Sequence, residues 1–470
     1  MFQQIKKRKL PVKKPSYSEL AEAVSKLLIR VEYLEAESIK DKLRIKSLEE
    51  ELAVYKNPKN SGNSSVPPSK DENRIRGNQS LREKSGKKSG GQPGHKGNTL
   101  SVVAEPDQIV RHIPEVCNHC GINLSGIAPI FVGKRQAIDI PPVQPVYTQH
   151  ETYQKQCSCG HMCTGSFPDH IKAPIQYGSS VANLVAYLSV RHYIPFKRGA
   201  EIFKDLFNIP LSEGTIANLL DDVAGKLQPS YSQIRNNIEK ASSVGGDESG
   251  SIFDGSKGWF WIWQNRHNTF IAAAKSRGEK ERKAIFPNGF PNAILNSDAY
   301  AVHLSTQCKA HQLCLAHLMR ELNYFIELYP FNPWPQALKA LFKKAIALEI
   351  NMTQQQYAHC PERDKIEAVF NDLLKIPPAS GGKLLAFFKR MVKNRDALFT
   401  FLHYPEATPD NNGSERGIRN VKVKQKVSGQ FKSIDTAQNF AIIRSVIDTW
   451  IKRAFDILAS FEILPNLAPE

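Results

Sequence analysis

Three acidic side chains stand where metal-assisted phosphodiester chemistry would need them: Asp247 in VGGDESG, Asp298 in AILNSDAY and Glu415 in DNNGSERGIR. The first two interrupt or close strand-like runs, and the third opens a basic helix far down the chain. A divided carboxylate set of this kind suits Mg2+ or Mn2+, because a hard cation prefers oxygen ligands at about 2.1 Å in octahedral geometry. Two such ions about 3.5–4 Å apart activate an attacking oxygen and stabilise a leaving one. Gly245 and Gly246 allow the backbone to approach a substrate closely, and Ser297 and Tyr300 flank the second acid. Glu248 rivals Asp247 for the first position, since Val244 and Ile252 fix the buried face of the strand only loosely.

A second constellation is built from cysteine. Cys117 and Cys120 form a C-x2-C knuckle, and Cys157 with Cys159 is the expected second pair. His161 or Cys163 remains an alternative for one member, because C-x-C is tighter than the common spacing. Four sulfur ligands would close a tetrahedral, structural zinc site with no open position for catalysis. Cys308, Cys314 and Cys360 lack such neighbours in sequence and are assigned no metal. Arg416, Arg419, Lys422, Lys424 and Lys426 follow Glu415 closely, a segment suited to phosphate oxygens.

These residues need elements to hold them. Residues 17–56 have the pattern of one long helix, with Leu20, Val24, Leu27, Val31, Leu34, Ile45, Leu48 and Leu52 on a heptad seam that Ser38 and Asp41 interrupt. Such a stripe pairs with a second copy in a coiled coil or packs on its own protein. A basic, Asn/Ser/Gly/Pro-rich flexible linker is expected over residues 57–105, and the zinc-binding module over 106–170. Residues 177–235 are helical, with a helix ending near Phe207 and another capped by Ser212. They fit a helix-turn-helix, with Lys197 and Arg198 offered to phosphates, or a plain helical hairpin. Over 240–425 come three adjacent strands, a helix at EKERKAIF, the strand AILNSDAY and a helix around Gln312–Phe325. That order is the one found in ribonuclease-H-like domains. The 117 residues from Asp298 to Glu415 are explained by a helical insertion at about 330–404, and Asn411 or Asn412 would cap the helix that carries Glu415. A helical segment, 426–470, ends the chain.

Bulk composition agrees with nucleic acid as the partner. In 470 residues, 63 Lys and Arg face 46 Asp and Glu, a formal charge of +17 that attracts a polyanion. The basic start MFQQIKKRKLPVKK has no apolar stretch behind it, and no later run offers about 20 uninterrupted apolar residues. No secretory signal or membrane partner is therefore expected. Eight cysteines, five of them crowded between Cys117 and Cys163, suit a reducing compartment. The expected location is the cytoplasm, on the nucleoid.

Taken in order, GGQPGHKGNTL, the cysteine region, GGDESG, LNSDAY, CLAHLMRE and NNGSERGIR resemble the insertion-sequence-66 family of bacterial transposases over nearly the whole chain. The resemblance implies a multidomain α/β protein: an N-terminal coiled coil, a small zinc-binding module and a ribonuclease-H-like catalytic core with a helical insertion. It implies a DDE transposase with Asp247, Asp298 and Glu415 as its catalytic acids, acting on element ends and target DNA. Accessory proteins of the same element are possible partners. His317 and Arg320 in CLAHLMRE would lie beside the second acid, touching DNA or belonging to the core. The rival function is a catalytically silent DNA-binding or regulatory protein derived from such an enzyme.

Overall fold

The computed structural model describes residues 16–64, 66, 71–72, 94, 100–378, 382–465 and 467. Most of the linker expected at 57–105, and most of GGQPGHKGNTL, lies outside the described residues. The chain forms two compact units, one of residues 1–74, 168–200 and 212–470, the other of 75–167 and 201–211.

The larger unit begins with α1 (Tyr17–Lys56), opened by a capping box in which the Ser16 hydroxyl and the Glu19 carboxylate satisfy each other's backbone N–H. Its apolar seam stays in solvent from Leu20 to Leu52. Among the described residues its end docks: Ala53 and Val54 pack on the helical core, and the buried Asn63 donates to Glu327 Oε2 at 2.7 Å. The described start of the expected linker is therefore folded down.

In the smaller unit, β1 (Gln154–Gln156) and β2 (Met162–Thr164) form an antiparallel hairpin. Strand-like alternation over 142–156 yields only β1 at its end, because Pro142 and Pro145 cannot donate to a ladder. Each cysteine knuckle closes on a glycine with positive φ: Gly121 (φ 74°) donates to the Cys117 carbonyl at 2.9 Å, and Gly160 (φ 91°) to that of Cys157 at 2.8 Å. Only glycine adopts this backbone without strain.

The core of the larger unit starts with α2 (Ser179–Ala186), α3 (Phe196–Phe207), which runs on into the smaller unit, and α4 (Glu213–Glu239). The Ser212 hydroxyl caps α4 by accepting from Thr215 N at 3.0 Å. A meander follows of β3 (Ser243–Phe253), β4 (Ser256–Gln264) and β5 (Thr269–Ala274). Asp254 and Gly255, at φ 45° and 71°, make the two-residue turn between β3 and β4. Next come α5 (Glu279–Ile285), β6 (Phe290–Ser297), α6 (Ala301–Leu304), β7 (Cys308–Leu313) and α7 (Leu315–Leu328). The sheet order is β5-β4-β3-β6-β7, antiparallel through the meander and parallel from β3 to β7.

The helix expected around Gln312–Phe325 thus starts later, at Leu315, and its first residues belong to a fifth strand. Gln312 is fully buried there; its Nε2 donates to the Leu313 and Leu398 carbonyls and its Oε1 accepts from Phe401 N. A buried polar residue satisfied by three hydrogen bonds, near the end of an edge strand whose residues from Cys308 to His311 are partly or fully exposed, conceals the strand from pattern reading.

From Pro333 the chain builds α8 (Pro333–Ile350), α9 (Pro361–Leu373) and α10 (Gly382–Lys393), then returns through α11 (Asn412–Ser428), α12 (Ile434–Lys452) and α13 (Ile457–Ile463). The sheet has apolar cover on both faces, as the pleat requires. Leu295 joins a core with α4 and α12, while its neighbour Ile294 joins Leu313, α7, α8, α9 and α10. Ser445 and Thr449 of α12 accept from the backbone N–H groups of Ile271 and Thr269 on the edge strand β5, so α12 covers that edge. Among the described residues no helix is long and apolar enough to cross a membrane.

Candidate active site

Register decides which of the two adjacent acids on β3 faces which side. Asp247 lies opposite Ile262 of β4, and Glu248 opposite Trp261; directly opposed residues share a face. Ile262 packs under α11, where a Cβ on Gly417 would press into its Cδ1 methyl. Gly245, two residues before Asp247 on the same face, leaves room for the start of α11: a Cβ there would lie 2.6 Å from Ser414 Oγ and 2.8 Å from Asn411 Oδ1. Asp247 therefore points to the side from which Glu415 comes.

Glu248 points the other way into a paired network. Its Oε2 lies 2.7 Å from His303 Nε2, and Arg277 Nε donates to its Oε1 at 2.7 Å, with Arg277 Nη2 on the same oxygen. Burial works to raise this carboxyl, but the hydrogen bond and charge of His303 and the Arg277 guanidinium outweigh it and hold it below the usual carboxylate range. The network reaches the second acid. Arg277 stacks on the Tyr300 ring at 3.7 Å, and Tyr300 N–H donates to Asp298 Oδ1 at 3.0 Å.

Asp298 follows the last residue of β6. The parallel pairing of β3 with β6 ends at Gly245 and Asn296, and Asp298, just past it, is near enough to Asp247 for its charge to raise that carboxyl. Glu415 is delivered by a loop stitched to both strands after the helical insertion. Asn296 Nδ2 donates to the Thr408 carbonyl at 3.0 Å, Leu315 N to the Pro409 carbonyl at 2.9 Å, and Asn411 Nδ2 to the Gly246 carbonyl at 2.7 Å. Asn411 occupies the N-cap position of α11 without capping through its side chain, which is spent on β3. Asp410 Oδ1 accepts from Asn412 N at 3.0 Å instead.

Burial raises the Asp247 carboxyl well above its ordinary value, and Glu248, Asp298 and Glu415 add to that in turn. Glu415 has a buried Oε1 without a hydrogen-bond partner. Its neighbours stand off: His317 Nε2 and Arg320 Nη2 are each 3.6 Å away, and Arg419 3.9 Å. An all-oxygen set that repels its own charge, with an orphaned carboxylate oxygen, fits a hard divalent cation. Among the described residues, however, the one trio of metal-competent side chains with donor atoms all within 4.8 Å is Cys314, His317 and Glu415.

A family model described as Transposase IS66 family matches residues 174–439, more than half of the chain and all three acids. The chain belongs to the IS66 family of transposases. Residues 11–101 match a family of unknown function (DUF6444), and no curated protein matches. As in any transposase, DNA is the partner, so exposed basic groups matter. Lys197 and Arg198 on α3, and Arg416 and Arg419 on α11, are exposed. Lys422 instead donates to the Gly250 carbonyl at 2.6 Å, and Lys424 is half-buried over the Phe196 ring.

The cysteines of this transposase family member gather two by two. The backbone N–H of Cys120, then that of His119, lowers the Cys117 thiol, and the backbone N–H of Cys159 lowers that of Cys157. Acidified thiols suit zinc, but among the described residues neither pair gains a third ligand within 4.8 Å. Sequence reasoning missed Cys314 as a partner of His317 and Glu415, although C-x2-H at a helix start is a recognisable ligand spacing. It also missed the Glu248–His303–Arg277 network, whose members are far apart in sequence.

Proposed function

We propose that this transposase is of the DDE type, with Asp247, Asp298 and Glu415 jointly holding Mg2+ or Mn2+ to cut phosphodiesters at element ends and join the freed 3′ hydroxyl to target DNA. What carries the reading is the convergence of one acid on β3 and one at the end of the neighbouring parallel strand β6, with a third on a helix stitched to those strands, the last two near enough for both to raise the Asp247 carboxyl. The sheet order supports a ribonuclease-H-like core with residues 330–404 as its insertion. Bound metal would supply charge neutralisation and Lewis-acid polarisation of the scissile phosphate.

The chain's own groups divide the remaining work. Asp247 sits on β3 and Asp298 directly after the end of β6, so their carboxylates are positioned before substrate arrives. Arg416 and Arg419, exposed beside Glu415, hold phosphate oxygens, and Lys197 and Arg198 extend the basic contact; Lys422 and Lys424, engaged in the protein, contribute less. The protein needs no covalent nucleophile. A structural zinc at Cys117, Cys120, Cys157 and Cys159 is supported by the two glycine-closed knuckles and their acidified thiols, and a coiled-coil dimer by the exposed seam of α1.

Asp247→Asn, Asp298→Asn and Glu415→Gln should each lower Mg2+-dependent cleavage of end DNA by more than about a hundredfold, with DNA affinity nearly unchanged in gel shift. Wild-type-like cleavage by any of the three would remove that residue from the site. Binding without cleavage by the unaltered protein would favour the catalytically silent regulator.

A further inference from the structure

We propose that Cys314, His317 and Glu415 form a second cation site of softer character, taking ions of the Zn2+, Co2+ and Cd2+ class, and that its occupation withdraws Glu415 from the acid trio. Their donor atoms lie within 4.8 Å of one another, and nitrogen, sulfur and oxygen are the donor types such ions take. Magnesium would not choose sulfur.

Spacing favours an ion over direct pairing. His317 Nε2 and Glu415 Oε1 are 3.6 Å apart, too far for a hydrogen bond. Ligands bound tetrahedrally at zinc distances of about 2.0–2.3 Å stand about 3.3–3.8 Å from one another. The gap already has the width of a tetrahedral edge, and Glu415 Oε1 is buried with no hydrogen bond to give up.

The donors are also presented by rigid elements. Cys314 is the N-cap residue of α7, and His317 lies one turn on, over the same face. Glu415 lies in the first turn of α11. Asn411 N–H donates to Cys314 Sγ at 3.2 Å, and the start of α7 presents further N–H groups to the same sulfur. Burial raises the Cys314 thiol and the Glu415 charge adds to that, so without an ion the sulfur keeps its proton, and a bound cation would displace it to solvent. Three protein ligands leave a fourth position for water or a substrate oxygen.

The consequence is a site that reads metal identity. Glu415 cannot serve the oxygen site and the soft site in one geometry, so a thiophilic ion competes with magnesium for it. This inhibitory consequence rests on the transposase reading; the binding site itself does not.

The experiment uses the full-length protein titrated with Co2+ in the presence of Mg2+. A thiolate-to-cobalt charge-transfer absorption should appear with a component that Cys314→Ser removes and His317→Gln weakens, separate from any component of the four-cysteine module that Cys117→Ser removes. His317→Gln changes a partly exposed side chain, so it keeps the test open if Cys314→Ser fails to fold. In parallel, the Zn2+ concentration that halves each protein's own Mg2+-dependent cleavage should rise by roughly tenfold or more in either variant. A cobalt band indifferent to both substitutions overturns the proposal. A band dependent on Cys314, with no cleavage under any metal, keeps the site and overturns the transposase reading instead.

Discussion

Removing charge from Asp247 and from Glu248 should move stability in opposite directions, although the two are adjacent. Asp247 is buried among other acids, so its ionised form is disfavoured in the native state. A native carboxyl raised above its unfolded value of 3.8 binds more protons than the unfolded chain as pH rises from there to the raised value. Metal-free stability must fall across that interval. Asp247→Asn should raise the melting temperature at neutral pH without metal and flatten its decline with pH. Glu248 has the reverse dependence, since its native carboxyl is lowered: its stabilisation is present above 4.5 and lost as pH falls through the native value. Glu248→Gln leaves His303 and Arg277 short of their partner and should cost about 1.5–3 kcal/mol in urea denaturation. Two losses of similar size would show that Asp247 is held in place by pairing, and would remove the argument for a cation there.

At the scale of elements, α11 is held close to the sheet by missing side chains. Gly413 and Gly417, four residues apart, turn one bare face to β4, where Gln264 and Ile262 lie against them. Gly417→Ala should cost about 1–3 kcal/mol by overpacking and should lower cleavage more than DNA binding, because any outward shift of α11 moves Glu415. Ile262→Val removes the obstructing methyl and alone costs about 0.5–1.5 kcal/mol. The double variant should be more stable than Gly417→Ala, an outcome that additive effects cannot give. Much of this architecture was legible in sequence: the Ser212 cap, the meander, the helices between Pro333 and Lys393 and the start of α11 all carry local signals. β7 was not, because Gln312 is satisfied by partners 86 and 89 residues away. Nor could local pattern choose between Asp247 and Glu248, since pairing with β4 sets the face. The glycines beside Glu415 act by what they omit, which appears only when the facing strand is in place.

At the scale of the whole molecule, α1 poses the largest unmet demand. Leu20, Val24, Leu27, Val31, Leu34, Ile45, Leu48 and Leu52 are each 48–63% exposed, and an interrupted apolar stripe on a helix of about 60 Å is what the proposed pairing would cover. The heptad puts Val24, Val31 and Ile45 at a, with Leu20, Leu27, Leu34 and Leu48 at d. β-branched residues at a with leucine at d favour a parallel two-stranded coil. Ser38 and Asp41 fall at the next a and d positions, which weakens the middle of the seam and splits it into two apolar blocks. Under the proposed function, a coil of this kind would help bring two element ends together, because two copies tethered through α1 would raise the effective concentration of the second end. Leu27→Lys with Leu34→Lys places charges at two successive d positions of the first block. It should convert a dimer to a monomer in sedimentation equilibrium while leaving the melting of the catalytic unit unchanged. Binding to one end should survive and the complex joining two ends should be lost. A wild-type chain that sediments as a monomer at every concentration, or a charged variant that still joins two ends, would assign α1 a different partner.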